Sequence, residues 1–99
     1  MLKDWTHALF AENLNTNFVV AHPYWGDVTL ELVSVSNLRE TPRQRMFSLV
    51  FRGPLHQPLE QGMYPMTHEK IGGESLFLVP IAREADGFQY EVVFNNLVK

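Results

Sequence analysis

The chain has 99 residues, a formal net charge of −3, 45% hydrophobic and 12% aromatic residues, and no cysteine. That is room for one core rather than two; it excludes disulfide staples and thiolate zinc sites, and the negative charge argues against general nucleic-acid binding. No stretch approaches the roughly 18 apolar residues of a membrane span, and Met1–Trp5 lacks the charged-then-apolar order of a signal peptide, so the expectation is a single domain over 1–99 in a reducing, cytoplasmic compartment.

Only the first segment reads as helix. Asp4 or Thr6 can cap it by accepting a backbone N–H bond. Trp5 and Leu9, like Phe10 and Leu14, stand one turn apart, and Asn13, Asn15 and Asn17 stop it, because their side chains compete for the backbone. From Thr16 the period changes to two. Phe18–Ala21 is a short strand ended by His22-Pro23, and Tyr24-Trp25-Gly26-Asp27 is a turn. Trp25 beside Tyr24 could stack a sugar or a base; folding back onto the core is the favoured reading. Val28, Leu30 and Leu32 alternate with polar neighbours until the phase slips at Leu32-Val33, where a β-bulge is one explanation and a strand covered on both sides is the other.

Ser36–Arg45 is polar, holds Pro42 and reads as a loop. Met46–Arg52 is a strand with Phe47, Leu49 and Phe51 on one face. Leu55–Glu60 crosses the surface. Gln61–His68 is a weaker strand, and Pro65, lacking an N–H, places it at a sheet edge. Leu76–Ile81 is apolar at nearly every position, which suggests a strand buried on both faces or one face awaiting a partner. Asp86-Gly87 is a strong hairpin signal leading into Phe88–Asn95, where Phe88, Tyr90, Val92 and Phe94 alternate with the rest. The sum is a mainly β domain: a small antiparallel barrel or sandwich of about six strands, a meander led by one short N-terminal helix.

Candidate chemistry is thin. His7, His22, His56 and His68 lack the one-turn spacing of a helical zinc pair, so no metal or other cofactor is expected. His68-Glu69 is the best local acid–base pair, yet a polar turn after a strand explains it more simply. Glu60, Glu69, Glu74, Glu84, Asp86 and Glu91 fall in turns or on outward strand positions and read as solvated charge rather than a carboxylate pair. Arg39, Arg43 and Arg45, with Arg52 nearby, form the one basic cluster, suited to phosphate or an acidic partner. No catalytic residue is assigned, and the chain is not expected to be an enzyme.

Phe47–Pro54, Leu59–Tyr64, His68, Gly72, Phe77–Pro80 and Tyr90–Asn95 together resemble a family of small uncharacterised bacterial β-domain proteins, over the C-terminal two-thirds of the chain. The resemblance implies a compact β-domain found in the gene neighbourhoods of phage tail-like proteins, and hence a structural or assembly role. The expectation is a binding or assembly domain with a protein partner or a second copy of itself, and with Arg39, Arg43, Arg45, Tyr64 and His68 as candidate interaction residues. The alternative is a barrel holding a small apolar ligand among Phe47, Phe51, Tyr64, Phe77 and Tyr90.

Overall fold

The computed structural model describes residues 5–97. A short helix, α1 (His7–Glu12), precedes seven strands: β1 (Asn17–His22), β2 (Gly26–Val35), β3 (Arg39–Glu40), β4 (Gln44–Gly53), β5 (Gly62–His68), β6 (Gly72–Glu84) and β7 (Gly87–Leu97). All lie in one antiparallel sheet of order β2-β1-β5-β6-β7-β4-β3, and a further β2–β4 pairing joins its two sides. Six strands therefore close into a barrel, with β3 as an extra ribbon on β4. Closure removes most of the open edge that an unclosed sheet would present, except where β6 and β7 part beyond Val79 and Glu91.

The period-two pattern directs every other residue inward. Phe18 and Val20, Val28, Leu30 and Leu32, Leu49 and Phe51, Met66, Leu78, Tyr90 and Val92 fill the interior, all but shielded from solvent. The two open ends are plugged by different parts of the chain. At one end α1 drops Phe10 against Phe18, Phe47 and Phe94, with ring centroids 6.2, 6.0 and 5.4 Å away. Thr6 caps the helix by accepting the Leu9 amide at 3.2 Å, and Trp5 donates its indole N–H to the Ile71 carbonyl at 2.7 Å. Asp4, the other expected cap, lies outside the described residues. Asn15, at φ 66°, turns the chain out of the helix and donates its amide to the Leu32 carbonyl, the kind of stop asparagine favours.

The opposite end is covered by residues 54–61. This segment carries the chain from β4 to β5, strands that are not neighbours, so the expected single meander is in fact two: β1-β2-β4 and β5-β6-β7 joined by a crossover. Leu59 seals it, buried and donating its amide to the Tyr90 hydroxyl at 2.9 Å. Gly53 is required where β4 reaches this end: a Cβ there would meet Leu30 Cδ2 at 2.5 Å.

Two alternatives are resolved and two expectations change. The bulge at Val33 is present, since the β2–β4 register shifts between Leu32 and Ser34. The loop expected over Ser36–Arg45 is instead the end of a long hairpin: β3 pairs with β4, and Thr41 Oγ1 accepts the Arg43 and Gln44 amides across a tight turn. Gln61–His68 is not an edge, because β5 pairs with β6 throughout and with β1 at Met66 and Thr67. Pro65 explains why the β1 pairing stops there, for it has no N–H to give. Leu76–Ile81 is not buried on both faces: Leu76 and Leu78 point in, while Phe77 and Ile81 are 44% and 47% exposed.

Candidate functional site

Tyr64 and His68, two of the candidate interaction residues, alternate in phase with Met66 and therefore face the barrel interior, 8% and 6% exposed. Neither stands on the outward face of β5. His68 sits 4.5 Å from the Phe18 ring. Its Nδ1 accepts the Lys70 amide at 3.0 Å, and its Nε2 is 2.8 Å from Thr16 Oγ1. A neutral imidazole that accepts at Nδ1 carries its proton on Nε2. His68 thus donates to Thr16, whose hydroxyl donates to the Asn13 carbonyl at 2.6 Å. Burial pushes the His68 pKa down, with Glu69 opposing and Lys70 reinforcing the shift.

A hydroxyl–imidazole contact of this length is the geometry of an activated nucleophile, but the protons run the wrong way. A general base needs a lone pair on the nitrogen that faces the hydroxyl. Here that nitrogen holds the proton, and the place of the orienting carboxylate is taken by the Lys70 amide. Glu69 is exposed and has no hydrogen bond to His68 among the described residues. The arrangement fastens the end of β5 to the segment joining α1 to β1.

The arginines separate. Arg39, Arg43 and Arg45 lie at the tip of the β3–β4 hairpin, Arg45 paired with Glu40 at 3.1 Å on open surface. Arg52 is at the far end of β4, where it bridges Glu31 at 2.6 Å and Asp86 at 3.1 Å. The basic cluster is therefore three residues. The candidate acids also scatter: Glu84 bonds Gln89, Asp86 bonds Arg52, and Glu91 lies outward between Val79 and Val50. No group of three or more His, Asp or Glu side chains able to hold a metal ion occurs among the described residues.

Two surfaces remain that local motifs do not reveal. The first is the outward face of β5, β6 and β7. Met63 and Phe77 are register partners. Past the Val79–Glu91 pair β6 and β7 part, and the next outward residues on each strand are Phe77 and Val93. Met63 and Val93 are 63% and 65% exposed. Beyond that point β7 pairs with β4 alone and β6 with β5 alone. The second surface is a groove of about 640 Å³ at the crossover end, beside His22, Tyr24, Trp25, Pro58, Glu60 and Tyr64. Trp25 folds back onto the core, as expected: half-buried, it packs against the core cluster and donates its indole N–H to the Pro58 carbonyl at 2.9 Å.

Of the ligand-barrel lining, Phe47, Phe51, Tyr64 and Tyr90 are packed core residues and Phe77 lies outside. The fold and its surfaces thus define a small antiparallel β-barrel plugged at both ends, with its uncommitted chemistry on the outside. Residues 5–94 match the family described as Domain of unknown function (DUF6916), and the chain belongs to that family. Neither a curated protein nor a solved structure matches it significantly.

Proposed function

We propose that the protein is a non-enzymatic binding and assembly module that docks a protein partner, in the first place a second copy of itself, through the outward face of β5, β6 and β7. The observation that carries this reading is the grouping of exposed Met63, Phe77, Ile81 and Val93 around the point where β6 and β7 part. Exposed apolar side chains lose water-contacting area when covered. Strand segments paired on one side offer backbone N–H and C=O groups to another chain. A repeated part in a tail-like assembly, the role implied by the sequence resemblance, needs the same property. A chain without cysteine suits a reducing compartment such as the bacterial cytoplasm.

Light scattering over a concentration series tests the reading. The expected result is a mass that climbs above the 11.4 kDa of one chain as concentration rises. A mass fixed at one chain throughout overturns self-association.

A further inference from the structure

The crossover end carries a second surface, independent of the outward face. Four rings run along it without a break. Tyr24 meets Trp25 edge-on at 4.7 Å, His22 lies 6.4 Å from Trp25, and His22 stacks on Tyr64 at 5.6 Å and 26°. Tyr24 is 79% exposed, far more than a core aromatic. The array is nonetheless held in place. His22 Nδ1 accepts the Tyr24 and Trp25 amides, each at 3.0 Å, which fixes the turn. The Trp25 indole N–H is tied to Pro58, and the Tyr64 hydroxyl donates to the Glu60 carbonyl at 2.6 Å.

These bonds decide the class of ligand. A sugar or a base is recognised by a ring face together with several free donors and acceptors. In this groove the indole N–H and the Tyr64 hydroxyl are already spent on the chain's own carbonyls. What remains is the exposed face of Tyr24, the half-buried faces of Trp25 and His22, the Tyr24 hydroxyl, the His22 Nε2–H, and the Glu60 carboxylate, which has no salt-bridge partner among the described residues. A polyproline II segment fits that remainder. It has three residues per turn, is extended before it binds, and presents proline rings to aromatic slots at small entropic cost. A carboxylate at the rim selects a basic residue flanking the prolines, in keeping with a chain of net charge −3.

We propose that the groove between the His22–Trp25 turn and the Pro58–Glu60 crossover binds a proline-rich peptide segment that carries a flanking arginine or lysine.

The test is an NMR titration of the isotope-labelled full chain with a short polyproline peptide bearing one terminal arginine. The chain has two tryptophans, and the Trp5 indole, bonded to Ile71 at the opposite end of the barrel, is an internal control. The Trp25 indole and the amides of His22, Tyr24, Trp25 and residues 59–64 are expected to shift saturably while the Trp5 indole stays still. Tyr24→Ala is expected to weaken binding by at least about tenfold, as for an aromatic anchor, with the melting temperature unchanged. Glu60→Gln is expected to weaken the arginine-bearing peptide and leave a polyproline peptide without arginine unaffected. No saturable shift at millimolar peptide overturns the proposal. So does an equal response to a proline-free peptide of the same charge, or a response to an oligosaccharide in place of the peptide.

Discussion

Replacing Thr16 with valine isolates the polar network around His68. Valine matches threonine in shape but removes the hydroxyl, which both receives the His68 Nε2–H and donates to the Asn13 carbonyl. His68 is 6% exposed, so water has little access to the stranded N–H. Leaving a buried donor without a partner costs about 1–3 kcal/mol. In a domain of this size each 1 kcal/mol lowers the melting temperature by about 4–8 °C. Thr16→Val is therefore expected to melt at least about 4 °C below the wild type, read by circular dichroism and cross-checked by the urea midpoint. A variant whose midpoint coincides with the wild type would refute the assignment of His68 as a donor into Thr16.

The same network predicts a pH dependence. Burial lowers the His68 pKa in the folded state, so the unfolded chain, whose histidines titrate near about 6.5, takes up the proton first. The stability His68 contributes is then complete above that pH and is lost as the pH falls through it, at no more than about 1.4 kcal/mol per pH unit; urea midpoints should show the wild type losing more on acidification than His68→Gln. Gly53→Ala is expected to destabilise by about 1–3 kcal/mol through overpacking, because its new Cβ would meet Leu30 Cδ2 at 2.5 Å and Tyr90 Cε2 at 3.2 Å; an unchanged melting point contradicts that crowding. Glu40→Gln breaks an ion pair whose side chains are 53% and 59% exposed, and its unfolding free energy should stay within about 1 kcal/mol of the wild type.

Much of the barrel is written in local pattern. Phe88, Tyr90, Val92 and Phe94 alternate cleanly because β7 faces a core on one side and solvent on the other. Gly87, at φ 152°, makes the expected hairpin turn, and the phase slip at Val33 reports a real bulge. Other features have no local signal. β5 is apolar on both sides, Met63 outward and Tyr64 and Met66 inward, so its pattern cannot assign Tyr64 to the interior. In β6 the apolar run Leu76–Ile81 reads the same whether Phe77 is covered by protein or left open. Pro65 was legible as a break in pairing but not as one confined to β1. The His68 network joins residues 52 apart in the chain, and nothing near either predicts the other. The aromatic groove was half visible: Tyr24-Trp25 stood out, whereas Pro58 and Glu60 arrive only through the crossover, and the role of His22 in fixing the turn depends on the path of the backbone.

The most direct test of the outward face is sedimentation equilibrium of the wild type beside Phe77→Lys over the same concentrations. Phe77 is 44% exposed on a strand whose inward neighbours carry the core, so the lysine variant should fold and melt as the wild type does. The account predicts a wild-type mass that rises above 11.4 kDa with concentration and a variant that remains at that mass. A wild type that stays a single chain, or a variant that associates as strongly, would contradict it.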